Sequence, residues 1–274
     1  MRKIGYIMVI LALLSGIGGF FLRAREVATI FDPQTGLASF GEPVTIALIA
    51  LSAVVVLLLF GLSFALPRGQ ATQFAENFDS GPFARIPLII LSIFLIGLSG
   101  LETWSLHQDD SLGVFALILL VGAFASGICL LCMALLGPKG KNVAIPATIP
   151  VFWLTVWLIY FHVETAASPV RLGYIYGFFA LAALLLSFYY IAGYAFRQTR
   201  ERRLMFCGSA AIYFSGVVAG GSLGLSFIGQ IILPVLGAMV LVYLLLLARN
   251  LTRPAPQAHP RTVSPDLLGD EADV

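Results

Sequence analysis

The sequence predicts an all-α, polytopic transmembrane bundle of eight spans, and three observations carry that prediction. First, 59% of the residues are hydrophobic and 11% are charged, with a mean hydropathy of +0.96. Soluble proteins average roughly 25% charged residues, so too few polar residues remain here to cover a water-soluble globule. Second, the apolar residues fall in runs of about 18 to 25, the length at which a helix crosses a hydrocarbon core of about 30 Å. Third, these runs lack the alternation of apolar and polar residues over about ten positions that marks barrel strands, which excludes a membrane β-barrel.

The spans are expected at about 4–22, 44–66, 83–104, 112–136, 143–161, 172–196, 204–221 and 225–248, making 1–248 a transmembrane domain. The first begins after Arg2-Lys3 and imitates a signal peptide. It reaches Arg23 without a clean small-x-small cleavage site, so it reads as an uncleaved span. Between spans one and two, Asp32-Pro33-Gln34-Thr35-Gly36 has the form of a type I turn: Asp opens it, Pro fixes φ and Gly follows. After span two comes a polar connection. Phe74 and Phe78, four apart, would lay both rings on the membrane if it formed a short surface helix, and a plain loop is the simpler reading.

Pro87 falls in the expected first turn of span three, where a missing N–H costs little. Asp110 or Ser111 is placed to cap span four. From 204 to 248 no charge occurs, and one helix of those 45 residues would reach about 67 Å. Two spans joined at Gly220-Gly221-Ser222-Leu223-Gly224 fit better, with Pro234 inside the last. The stretch 249–274, with four prolines, is expected to be a disordered cytoplasmic tail.

Basic residues orient the bundle. With the N-terminus in the cytoplasm (N-in/C-in), all sixteen lysines and arginines except Arg23, Arg25 and Arg171 lie on the cytoplasmic side. Seven spans would send the tail arginines outward, so the count of eight and the orientation support each other.

The polar residues left on the outer side form the first candidate site: Arg23, Arg25, Glu26, Glu102, His107, Asp109, His162 and Glu164. They would make an extracytoplasmic cap able to bind a ligand. Imidazole and carboxylate together suit a divalent ion, although the spacing matches no metal signature and no metal is assigned. Arg23 and Glu26, three apart, would pair if span one continued as helix, for about 0.2–0.5 kcal/mol. The sharper possibility is that Arg23 or Arg25 reaches Glu102, Asp109 or Glu164 and folds 23–43 over the outer mouth as a lid.

Tyr174, Tyr176 and Tyr194 read as interfacial aromatic belts. Tyr190 and Tyr194, with Ser226 and Gln230, offer a path for a neutral or lipophilic substrate. Cys129 and Cys132 share a helix face at about the depth of Cys207, which admits a thiol or metal enzyme if they meet; buried thiols are otherwise inert. Gly220-Gly221-Ser222-Leu223-Gly224 has the letters of a serine-hydrolase elbow, but no histidine follows within the spans, and a Gly-rich turn accounts for it. Gly137–Asn142 fails as a phosphate loop, because Leu135 and Asn142 stand where glycine and Ser or Thr are required. Small-xxx-small spacings such as Gly122/Ser126 and Gly216/Gly220 suit close helix packing in lipid. The middle thirds of the spans hold no ionisable residue, which argues against an ion-coupled pump or voltage sensor.

The run Leu22-Arg23-Ala24-Arg25-Glu26-Val27-Ala28-Thr29, followed by Phe31-Asp32-Pro33-Gln34-Thr35-Gly36-Leu37 and Gly41-Glu42-Pro43-Val44-Thr45, resembles a segment of an uncharacterised family of multi-span membrane proteins from Gram-positive anaerobes. The resemblance covers about 25 of the 274 residues. It implies a bacterial cytoplasmic (plasma) membrane and carries no activity or cofactor. The expectation is a non-enzymatic membrane protein that binds, senses or serves as an accessory subunit through its outer cap. Its partners would be the bilayer and a second membrane protein, with no nucleic acid. The alternative is a carrier for a neutral or lipophilic molecule.

Overall fold

The computed structural model describes residues 2–29, 42–66, 74–78, 82–108, 113–166, 174–198, 200–221 and 227–250. Among these the protein is all-helical, with eight long helices and one short one. They are α1 (Arg2–Thr29), α2 (Pro43–Phe64), the short α3 (Phe74–Asn77), α4 (Pro82–Gln108) and α5 (Val114–Leu136), followed by a 3₁₀ turn (Gly137–Lys139), then α6 (Ala144–Ala166), α7 (Tyr174–Ala195), α8 (Glu201–Ala219) and α9 (Phe227–Asn250). Seven of the long helices have the length and apolarity to cross a membrane. The chain is accordingly a multi-pass membrane protein, and the large apolar side chains exposed on α1, α2, α4, α5 and α6 face the bilayer.

The exception is α8. Its first turn takes in Glu201, Arg202 and Arg203, which the sequence places in a loop. It is also the most enclosed element, packed against α1, α2, α7 and α9, with nearly every residue from Leu204 to Val218 buried. A helix screened by its neighbours does not need to be uniformly apolar. Polar Ser209, Tyr213 and Ser215 are therefore buried along it.

Contacts at the two ends show how the helices alternate. At one end, which carries most of the basic residues, Arg202 Nε at the start of α8 donates to the Leu66 carbonyl after α2, 2.5 Å away. There too Asn250 Nδ2 at the end of α9 donates to the Asn77 carbonyl of α3, at 2.5 Å. At the opposite end, Gly221 after α8 lies against Val27 and Arg23 of α1. Thus α8 traverses the bundle from end to end.

Several boundaries differ from the sequence reading. α1 runs on to Thr29 rather than stopping at 22, and α6 continues to Ala166, so His162 and Glu164 stand on a helix. α4 extends to Gln108 and takes up His107. Pro82, not Pro87, occupies the first turn of α4. Gly113, not Asp110 or Ser111, is the residue before α5, and it makes no side-chain cap. The turn at 32–36, the tail from 251 and Ser222–Gly224 lie outside the described residues.

Phe74 and Phe78 give a clearer correction. Phe74 opens a short helix and Phe78 directly follows it, but their rings turn into the protein rather than onto lipid, with Phe78 only 2% exposed. Phe78 meets Tyr194 of α7 and Tyr243 of α9 edge-on, with both centroid distances 5.2 Å. Phe74 covers Gly137, where an added Cβ would stand 2.4 Å from its ring.

The small-residue spacings explain the closest packing. A Cβ at Gly216 would lie 3.0 Å from the backbone of Gly16, and one at Gly220 would lie 2.3 Å from the Phe20 carbonyl oxygen. Backbone meets backbone along the α1–α8 crossing, which is how helices gain contact where lipid offers no hydrophobic drive. On α5, Gly122 admits the Trp153 indole, whose Nε1 donates to the Leu119 carbonyl at 3.0 Å. We expect Gly216→Ala to cost about 1–3 kcal/mol, because backbone cannot yield as a side chain does. Gly18→Ala, with nothing within 4 Å of the added carbon, should be neutral or slightly stabilising. The midpoint of SDS-induced unfolding in mixed micelles measures both, and equal losses would refute the close crossing.

Candidate functional site

The end opposite the basic residues holds the most developed polar cluster. α1 carries Arg23 and Glu26 through its last turns, one helical turn apart on the same face. Arg23 Nη1 donates to Glu26 Oε2. Both residues are buried, at 2% and 4% exposure. The second carboxylate oxygen, Oε1, accepts from Thr45 Oγ1 in the first turn of α2 at 2.8 Å. The Arg23 guanidinium also sits 5.7 Å from the centroid of the Tyr176 ring on α7, a cation–π distance. Gly221 makes room for its stem: a Cβ there would come within 3.2 Å of Arg23 Cγ.

One level deeper, Ser52 of α2 and Tyr213 of α8 share a hydrogen bond of 2.7 Å between hydroxyl oxygens. Ser52 Oγ also donates toward the Leu48 carbonyl, at 2.8 Å. Tyr176 of α7, whose ring the Arg23 guanidinium faces, is buried in the same cluster. α1, α2, α7 and α8 thus enclose a polar stripe of one cation, one anion and four hydroxyl-bearing partners, Thr45, Ser52, Tyr176 and Tyr213. The stripe contains no imidazole or thiol to act as a base or soft metal ligand. Among the described residues no group of three His, Cys, Asp or Glu could hold a metal ion.

Among the described residues of the predicted cap, Arg23 and Glu26 are brought together here. Arg25 is exposed beside them, and its carbonyl accepts from Thr29 Oγ1 at 2.8 Å. Glu102 is half-buried on α4 and His162 is exposed on α6, with its ring 5.9 Å from that of Phe178. α1 packs against α2, α8 and α9, whereas α4 packs against α5 and α9, and α6 against α5 and α7. Glu102 and His162 therefore stand on helices that do not pack on α1, and Arg23 turns back along its own helix. Asp109, the side chains of His107 and Glu164, and the 30–41 part of the proposed lid lie outside the described residues.

The substrate path also divides. Tyr190 is half-buried beside Tyr189, with ring centroids 5.3 Å apart. Tyr194 is wholly enclosed and packs on Phe78, so it forms part of the basic end rather than a mid-membrane channel wall. Ser226 and the side chain of Gln230 lie outside the described residues. The three cysteines are free. Cys129 and Cys132 sit on α5 and Cys207 on α8, and these helices share no packing interface, so the three thiols are not gathered.

Thr45, Ser52, Tyr176 and Tyr213 escaped the sequence reading. Tyr176 reads there as an interfacial belt residue, yet it is buried against Arg23. Only the i, i+3 spacing of Arg23 and Glu26 signalled the cluster. No family model, curated protein or solved structure matches this chain.

Proposed function

We propose that this chain is an eight-span protein of a bacterial plasma membrane, with its basic end cytoplasmic. It acts without catalysis, as a binding, sensing or accessory component, through its extracytoplasmic end. Charge supports the orientation: Lys139, Lys141, Arg197, Arg202 and Arg249 flank the helix ends on one side of the bundle. α8 serves as the seventh span in chain order and completes the eight, with its arginines at the cytoplasmic surface and its polar side chains shielded by neighbouring helices.

The buried Arg23–Glu26 pair carries the functional reading. Removing two charges from water costs several kcal/mol each, and the mutual attraction does not reliably return it. Ionisable groups held within membrane segments accordingly mark functional sites more often than structural ones. A partner that offers Arg23 a competing acceptor, or Glu26 a competing donor, would reset the pair and the α1–α2–α7 contacts it joins. Arg25, exposed on the same turns, is the first group such a partner meets.

A photo-crosslinking amino acid placed at Arg25 in native membranes tests this. The expected result is a discrete adduct that disappears in Arg23→Met/Glu26→Leu. Lipid adducts alone, unchanged in the double variant, would overturn the recognition role. A reporter fused after Val274 should read cytoplasmic, and an extracytoplasmic signal would overturn the topology.

A further inference from the structure

Phe78, directly after the short helix α3, is wedged between Tyr194 of α7 and Tyr243 of α9 at the basic end. Both tyrosines are enclosed, at 0% and 1% exposure. Neither hydroxyl has a hydrogen-bond partner among the described residues. The same holds for buried Oδ1 of Asn250, whose Nδ2 donates to the Asn77 carbonyl of α3. Three orphaned polar atoms therefore belong to residues that touch one short segment.

Buried polar atoms normally find partners, and α3 has little to offer these. The rings of Phe74 and Phe78 carry no N–H, O–H or carbonyl. The Phe78 N–H returns to the Phe74 carbonyl at 3.0 Å, and the Asn77 carbonyl already accepts from Asn250. Space lies beside the segment. Phe74 and Ala75 form part of the wall of a cavity of about 350 Å³, with Gly137, Gly140 and Lys141, so α3 has room to move without displacing a long helix.

We propose that α3 and Phe78 form a plug that withdraws from between α7 and α9 and opens the basic end to water. Seated, Phe78 fills the gap and bars solutes from it. Withdrawn, it lets water reach the two hydroxyls and the Asn250 carbonyl oxygen. Loss of apolar burial opposes opening, whereas hydration of the orphaned atoms favours it. The two states thus lie closer in free energy than they would around a plug that satisfied its neighbours. The device is independent of the Arg23–Glu26 cluster at the other end.

Thiol labelling of the full chain in phosphatidylcholine nanodiscs tests this. Cys129, Cys132 and Cys207 are replaced by Ala, and one cysteine is introduced at a time. Asn77→Cys reports on the plug, Ala211→Cys on the closed interior of the bundle and Arg203→Cys on an exposed site at the basic end. A water-soluble maleimide should label Asn77→Cys at least about 100-fold faster than Ala211→Cys, which awaits global unfolding, and at least about tenfold slower than Arg203→Cys. Adding Tyr194→Phe and Tyr243→Phe should slow labelling at 77 at least about tenfold, because the seated plug then strands no hydroxyl. A fixed brace would not respond in that way. Labelling at 77 as slow as at 211 would show that the plug does not open. Labelling as fast as at 203 would show that it is never seated, and an unchanged rate in the phenylalanine variant would remove the hydroxyls as its driving force. Each of these outcomes overturns the proposal.

Discussion

Replacing Glu26 alone with Leu should cost about 3–5 kcal/mol, whereas replacing Arg23 with Met and Glu26 with Leu together should cost far less. The single change leaves a guanidinium buried at 2% exposure without its carboxylate, beside the Tyr176 face. Cation–π contacts contribute about 0.5–2 kcal/mol, less than the loss of a buried ion-pair partner is expected to cost. Arg23→Met alone should be similarly damaging, since Glu26 would retain only the Thr45 hydroxyl of the contacts described. In the double variant no charge remains, and Met and Leu approximate the volumes removed. The three SDS-unfolding midpoints give a coupling energy directly. Additive losses would mean that the pair is not desolvated in the membrane, and the functional reading of the cluster would lose its support.

That pair also marks how far the sequence could be read. Arg23 and Glu26 lie three apart in one chain segment, so their contact follows as soon as α1 is known to continue past residue 22. Partners from other helices do not follow in this way. Tyr213 reaches Ser52 only because α8 lies against α2 with one particular rotation, and rotation is set by packing order, which hydropathy does not encode. The Gly216/Gly220 spacing signalled a close crossing, yet nothing in the spacing named Gly16 and Phe20 as the opposite side. Charge had the converse effect. Arg202 and Arg203 read as loop because they are basic, but they lie in the first turn of α8, where Arg202 turns to the Leu66 carbonyl. The division of the uncharged stretch 204–248 near Gly220 was legible, because one helix of that length would far exceed the bilayer. Helix α8 ends at Ala219 and α9 begins at Phe227.

Phe78→Ala should destabilise the protein by about 3–5 kcal/mol, and Phe152→Ala by no more than about 0.5 kcal/mol. The same atoms are deleted in each case, and the surroundings decide the difference. Phe152 is 71% exposed on α6, where lipid chains fill whatever space its ring leaves. Phe78 is 2% exposed and is held between Phe74 at 4.8 Å and the rings of Tyr194 and Tyr243 at 5.2 Å. Protein atoms cannot flow into that gap, so the contacts are lost outright, together with edge-on ring geometry worth about 0.5–1.5 kcal/mol per pair. The spacing of Phe74 and Phe78 fits equally well a segment lying on the membrane with its rings in lipid. In that arrangement Phe78→Ala would cost as little as Phe152→Ala. The comparison therefore separates a surface-lying segment from one wedged between α7 and α9. A large loss would show that Phe78 braces Tyr194 and Tyr243 from inside the bundle.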